Sequence, residues 1–518
     1  MKNKFLYLIP LLLFIGCKKV QFPVLVMTDQ GKVHGSIADD VIRYAGVPYA
    51  QAPIGDLRWR EPQDPLAYDT VLDATAFRAD PMQPRLYEDM VFRGNGFSED
   101  CLYLNIWRPM RVYETQLPVL IYFNGGGWQA GSGSEPRYDG AALARQGMIV
   151  VTVNYREGVF GFLAHPDLTA RSEHHTSGNY GLLDQAQAIK WVHDNIGAFG
   201  GDANRITIAG ESAGSFSVSI LMTSPLTIPY LAGAIGSSGA AVGLYQPITL
   251  QQAEQQGAEQ LQSIGLTIDD LLQLSAPQLQ QLLPPNGMAN AVVDNYLLTQ
   301  SPEQAFMSGQ QAQVPLMAGW NKNEASPAWW LNGEYTIANF IAMLHRRFPN
   351  STDEQLQALL NAYDIHTDED IYTQAAMDLC SDLFTGDCTR RWCMLHSSAQ
   401  TTFVYRFLPP RPEHNPQPAK FANGACHSAD IEYAMGNLET NTNFAWAKND
   451  EQLSALFQTT YFNFCHTGNP NYPKQLPIDW IPFTTDEPWM LQLDYIPSLQ
   501  KDNIPNRCTI LDSIILHQ

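Results

Sequence analysis

Ser212 is the residue whose type and setting promise chemistry. It sits in Gly210-Glu211-Ser212-Ala213-Gly214, after the run Arg205–Ala209 and before the helix-like run Ser215–Met222. That context predicts a strand turning sharply into a helix, with the serine at the tip. Glycines at both ends keep side chains out of a strained turn, so the hydroxyl can stand clear above a sheet. A helix starting there aims backbone N–H groups at the same point and favours negative charge. The pentapeptide by itself fits a plain small-residue turn equally well. A serine nucleophile also needs a base, an acid that orients the base, and donors for an oxyanion. Phe123-Asn124-Gly125-Gly126-Gly127-Trp128 fits the donor role, because glycines let the backbone approach a carbonyl oxygen closely. The Gly126 and Gly127 N–H groups are the expected donors, with the Ala213 N–H as a third.

These residues must be carried by strands and helices. β-Branched or aromatic runs at Val119–Phe123, Ile149–Val153, Ile206–Ala209, Val314–Ala318 and Thr402–Phe407 read as buried strands. Between the second and third, Leu182, Ala186, Ile189, Val192 and Ile196 recur at helical spacing, and Gly200-Gly201 follows. Alternating strands and helices predict an α/β fold, a mostly parallel sheet with helices on both faces. The Gln- and Leu-rich stretch Leu250–Leu283 reads as a helical insertion near the mouth of the site, and Leu408–Pro418 as a loop. No repeat or long linker marks a second domain.

Composition narrows the function classes. The chain has 518 residues, 45% of them hydrophobic, which supports a large core. Its 52 acidic against 31 basic residues give a net charge of −21. Such a surface repels nucleic acid and gains nothing electrostatically from anionic membranes. Met1–Lys4 carries two lysines, Phe5–Ile15 is apolar with one proline, and Gly16-Cys17 follows. The apolar stretch is too short for a stable span and reads as an export signal. Its end resembles a bacterial lipoprotein processing site, with Cys17 lipidated; an ordinary cleaved signal or an uncleaved anchor is the alternative. The expected organisation is a signal at 1–16, a tether at 17–30 and one domain at 31–518, in a protein exported to the bacterial cell envelope. Lys18-Lys19 leaves no aspartate after the cysteine, which in a Gram-negative cell favours the outer membrane. Eight cysteines less a lipidated Cys17 leave an odd number, and Cys380, Cys388 and Cys393 lie close enough in sequence for one local bridge.

Longer segments carry a resemblance to the type-B carboxylesterases, from about Gly31 to Trp489. Tyr44-Ala45-Gly46-Val47-Pro48-Tyr49-Ala50 with Arg58-Trp59 resembles the family's N-terminal segment. Ser98-Glu99-Asp100-Cys101-Leu102-Tyr103-Leu104-Asn105-Ile106-Trp107 is similar to its second signature. Asn154-Tyr155-Arg156, Gly178–Gln185 and Phe199–Asp202 continue it, and the Ser212 pentapeptide matches its nucleophile motif. The resemblance implies an α/β-hydrolase fold with helical insertions around the site, ester hydrolysis through an acyl-enzyme, a small-molecule ester as substrate and no cofactor. It also implies the missing partners. Glu324, in Gly319-Trp320-Asn321-Lys322-Asn323-Glu324, matches the family's acid, and His427, in Gly424-Ala425-Cys426-His427-Ser428-Ala429-Asp430, its base. Glu211, Ser238 and Asp430 are the expected supporting residues; for Ser238 a plain turn is the alternative.

The chain departs from the family in four places. Asn124 stands where a histidine commonly precedes the glycines, and Asp430 where glutamate is usual. Cys101 lacks its usual upstream partner, so it should be a free buried thiol or paired elsewhere. No tryptophan lies between Pro81 and Ser98, and Val91 occupies about the position where cholinesterases hold quaternary ammonium by cation–π contact. That disfavours choline esters. Trp128, Trp329 and Trp330 are expected either in the substrate pocket or in the core. A lipase acting on insoluble esters is a second reading. A non-catalytic adhesion protein is a third, opposed by the presence of Ser212, Glu324 and His427 together.

Overall fold

The structure, a computed structural model, describes residues 20–112, 116–285, 287–331, 334–414, 424–502 and 505–515. The expected signal 1–16 and Cys17 lie outside the described residues. Eleven strands form the main sheet: β1 (Ser36–Ala38), β2 (Val41–Pro48), β3 (Tyr103–Pro109), β4 (Leu117–Phe123), β5 (Ile149–Val153), β6 (Gly201–Glu211), β7 (Gly233–Ser237), β8 (Leu316–Asn321), β9 (Thr402–Phe407), β10 (Trp489–Leu493) and β11 (Ser498–Lys501). Their spatial order is β1-β2-β3-β5-β4-β6-β7-β8-β9-β10-β11. The seven strands from β5 to β10 run parallel, and antiparallel strands close both ends. Every residue of β4 and β5 is buried. Continuous apolar runs of this kind are what a sheet covered on both faces requires.

Successive β4 side chains supply opposite cores. Val119, Ile121 and Phe123 pack with Leu182, Ile189, Phe216 and Trp392, whereas Leu120 and Tyr122 pack with Phe457 and Tyr461. The first face is covered by α1 (Tyr180–Asn195) and α2 (Ala213–Leu221). The Leu250–Leu283 stretch forms three helices, α3 (Leu250–Ile264), α4 (Ile268–Gln273) and α5 (Ala276–Leu282). They bury Leu261, Ile268, Leu271 and Leu279 against Trp59 and Phe160. Further helices are α6 (Asp387–Ser397), which adds Trp392 to the first face, and α7 (Lys448–Thr467), which covers the second.

The register brings the functional loops to one edge. Phe123 is level with Gly210, Glu211 with Ser237, and Ser237 with Gly319. The loops after β4, β6, β7 and β8 therefore leave the sheet side by side, at its carboxyl end.

Two expectations need correction. The strand expected at Val314–Ala318 is Leu316–Asn321, because Pro315 has no N–H for the ladder while Gly319, Trp320 and Asn321 continue to pair with β9. Cys380, Cys388 and Cys393 form no local bridge. All seven described cysteines are free, Cys101 among them; Cys380 lies on the helical segment Gln374–Ser381 in one apolar cluster, and Cys388 and Cys393 lie on α6 in another.

Two of the resembling segments meet in a buried ion pair. Arg156 donates to Asp184 through Nε at 2.8 Å and Nη2 at 2.7 Å, and its backbone N–H adds a third bond at 3.0 Å. Both side chains are buried. Removing one partner of such a pair strands a buried charge. Asp184→Asn should therefore cost about 3 kcal/mol or more of stability, measured by chemical denaturation; a loss below about 1 kcal/mol would contradict this assignment.

Candidate active site

Ser212 joins β6 to α2 with φ 54° and ψ −125°. This positive-φ geometry is costly for a side-chain-bearing residue. It persists because the neighbours leave no alternative. A Cβ on Gly210 would lie 2.4 Å from the Gly214 carbonyl carbon, and one on Gly214 would lie 2.1 Å from the Phe123 oxygen. The two flanking glycines thus let strand, helix and the end of β4 close on one another, with Ser212 left at the tip.

His427 Nε2 lies 2.9 Å from Ser212 Oγ, and His427 Nδ1 lies 2.6 Å from Glu324 Oε2. With Nδ1 protonated toward the carboxylate, Nε2 is free to accept the serine proton. Glu324 is wholly buried. Its other oxygen accepts from Ser238 Oγ at 2.5 Å and from the Asn321 N–H at 2.5 Å. Ser238 thus donates to this carboxyl from just beyond the end of β7. Asp430 is one step further out: its oxygens accept from Ser237 Oγ at 2.5 Å, Tyr405 OH at 3.2 Å and Asn321 Nδ2 at 3.2 Å. Burial raises the Asp430 carboxyl above its ordinary range. Its shorter side chain still reaches the ends of β7 and β8 and Tyr405 within β9.

A cavity of about 640 Å³ opens over Ser212 and His427. Gly125, Gly126 and Gly127 line it. Gly126 has φ 114° and Gly127 φ 68°, both in the left-handed region that suits glycine. A Cβ on Gly126 would strike the Ala130 oxygen at 1.8 Å. Asn124 is buried beneath this loop; its Nδ2 donates to Gly125 O at 3.0 Å and to Glu157 Oε1 at 3.3 Å. The asparagine thus braces the glycine loop from below. Pro285, Gly287 and Met288, just beyond α5, complete one wall. Of the three tryptophans, Trp329 lines the cavity. Trp128 is core, its Nε1 bound to Ser217 Oγ at 2.9 Å, and Trp330 packs into a separate apolar cluster.

Three contributors escaped the sequence reading. Phe384 stands on a single π-helical turn, Asp382–Gly386, and meets the His427 ring edge to face with centroids 4.8 Å apart. Arg137 enters the cavity wall from a Glu-Pro-Arg-Tyr loop. Asn321 holds both acids. Phe384 and Arg137 carry no motif and arrive through long-range packing, whereas Asn321 lies in the acid segment itself, three residues before Glu324.

Glu211 does more than support the turn. It lines the cavity, and its Oε1 lies 3.3 Å from His427 Nε2. Burial pushes its carboxyl up to about 8. Burial alone would lower the His427 imidazole, but the Glu211 and Glu324 carboxylates outweigh it and raise the imidazole to about 9. The two groups therefore titrate as a unit, as an ion pair or as a neutral pair of the same net charge. Only the neutral imidazole can take a proton.

The architecture is that of the α/β-hydrolases: a largely parallel sheet, a strand–turn–helix at Ser212, and an acid and a histidine following in chain order. A sequence profile of the carboxylesterase family matches residues 23–510. The fumonisin B1 esterase of Sphingopyxis macrogoltabida is 39% identical over 79% of this chain and 74% of its own. The para-nitrobenzyl esterase of Bacillus subtilis is 32% identical over 92% of this chain and 96% of its own. A solved PNB esterase structure superposes with a TM-score of 0.79 at 29% identity, covering 94% of this chain and 99% of that one. The chain belongs to the carboxylesterase family, and it is a carboxylic ester hydrolase.

The Glu211–His427 coupling has a kinetic signature. Activity should rise with pH as the imidazole loses its proton, with a limb near pH 9. Glu211→Gln removes a neighbouring negative charge, so the imidazole releases its proton more readily. The limb of kcat/KM for a neutral ester should then move down by about one pH unit or more; an unmoved limb would show that the two groups are not coupled.

Proposed function

We propose that the chain hydrolyses its ester by two-step acyl transfer on Ser212. His427 accepts the Ser212 proton as Oγ attacks the ester carbonyl. The alcohol departs with that proton, leaving an acyl-serine. Water then attacks with His427 again as base, the carboxylic acid leaves, and the proton returns to Ser212. Glu324 fixes the imidazole tautomer and stabilises the imidazolium. The Gly126, Gly127 and Ala213 N–H groups hold the oxyanion, each contributing on the order of 3 kcal/mol to the barrier reduction. The observation that carries this reading is the unbroken hydrogen-bonded line from Ser212 through His427 to Glu324, at 2.9 and 2.6 Å.

The test is labelling by a fluorophosphonate, which phosphonylates an activated serine. Wild type should label and Ser212→Ala should not, with its fold checked by circular dichroism. Equal labelling of both proteins would sink the mechanism.

We also propose export with a lipid on Cys17, residues 1–16 serving as the signal and 17–30 as the tether. The support is the basic, then apolar, then Gly-Cys sequence of the N-terminus. Among the described residues no helix is long and apolar enough to cross a membrane. Cys17→Ser should shift the protein from the membrane fraction to the soluble fraction on cell fractionation; retention in the membrane would refute lipidation.

A further inference from the structure

The cavity that holds Ser212 and His427 also contains a fixed cation. Arg137 lines the same wall as Tyr138 and Glu211. Its side chain is 9% exposed and stands between this cavity and a smaller one lined by Glu135 and Glu432. The loop is pinned from behind: Asn437 Nδ2 donates to the Arg137 carbonyl at 3.0 Å.

The charges around Arg137 leave it attractive to an anion. Glu135 Oε2 lies 3.0 Å from its Nε, but Glu135 is itself buried, and burial pushes its carboxyl up to about 7. Burial thus disfavours the carboxylate form of the same group that most strongly holds the Arg137 charge. Asp89 Oδ2 lies 3.0 Å from Nη1 and is 44% exposed. A carboxylate in that setting is screened by water and bound weakly. It is a competitor that a substrate can displace. No hydrogen bond engages Arg137 Nη2 among the described residues. Among the described residues Glu432 also acts on Arg137 but is held by Arg411 at 3.1 Å, and Glu211, in the same cavity lining, is paired with His427 at 3.3 Å. Against this local arrangement stands a net charge of −21 over the chain. An anionic substrate gains no long-range attraction, so its recognition must come from a cation inside the site.

We propose that Arg137 is a carboxylate-binding subsite and that the substrate is an ester carrying a second, free carboxylate on its acid or its alcohol part. The guanidinium offers a planar pair of N–H donors matched to the two carboxylate oxygens. Asp89 occupies one of those donors until substrate displaces it. The inference rests on the Ser212 mechanism proposed above and adds the substrate class to it.

The test uses two matched pairs of esters. Para-nitrophenyl hydrogen glutarate against para-nitrophenyl pentanoate places the charge on the acid part. Para-acetoxybenzoate against phenyl acetate places it on the alcohol part. The readout is the ratio of kcat/KM for the charged ester to that for its neutral partner. In at least one pair Arg137→Gln should lower this ratio about tenfold or more, the effect expected from losing a charge-assisted pair. Asp89→Asn should raise the ratio in the same pair, by about threefold, because it removes the competitor. Where Arg137→Gln folds, a ratio unchanged within about twofold in both pairs overturns the subsite. Where it does not fold, Asp89→Asn decides in the same way. Should wild type turn over none of the four esters in a Ser212-dependent manner, the acyl-transfer reading falls first. Should it turn over the neutral esters while the ratio ignores both substitutions, the carboxylate subsite alone falls.

Discussion

Glu324 is a carboxyl group with no access to water, and a buried acid of this kind must find its hydrogen bonds inside the protein. It finds them on three separate segments: Ser238 after β7, the Asn321 N–H at the end of β8, and His427 from the loop beyond β9. The requirement works in both directions. The acid needs those donors, and each donor is held in place by serving it. Asn321 ties the arrangement to a second buried acid, because its side chain reaches Asp430 while its backbone serves Glu324. The reactive geometry is therefore a by-product of satisfying two buried carboxyl groups, and the sheet register that aligns the strand ends is what makes the distances short.

The serine is held by a different means, namely contact. Gly210 and Gly214 face each other at a separation that admits no side chain, and the end of β4 fills the remaining space. Polar satisfaction fixes His427 and steric closure fixes Ser212. The two meet at 2.9 Å. Phe384 adds a third constraint on the imidazole, from a turn where the helical hydrogen-bond pattern widens.

Much of this could be read from the chain because the informative residues are local. Gly210–Gly214 and Gly125–Gly127 each combine residue type, spacing and a flanking strand, whereas Glu324 and His427 could be singled out only through the resemblance to the family. The buried runs of β4 and β5 were legible for the same reason. Asn124, known from sequence only as a departure, turned out to brace the glycine loop through its side-chain amide. What stayed hidden was whatever depends on contact between distant segments. Residue type alone left Trp128 and Trp329 equally open to core or pocket, yet one is core and the other lines the cavity. Phe384 lies far upstream of His427 and carries no pattern of its own. The start of β8 was misjudged because the apolar run continues through Pro315, and hydrophobicity is blind to a missing N–H.

The seven free cysteines of the described chain bear on a question separate from catalysis. Six of them are buried, and none is cross-linked. The fold is held by its two apolar cores, its sheet and interior ion pairs such as Arg156–Asp184. Nothing in that inventory responds to glutathione or to an oxidase. The described native fold therefore holds without a covalent cross-link, and a change of redox potential removes none of the contacts that maintain it.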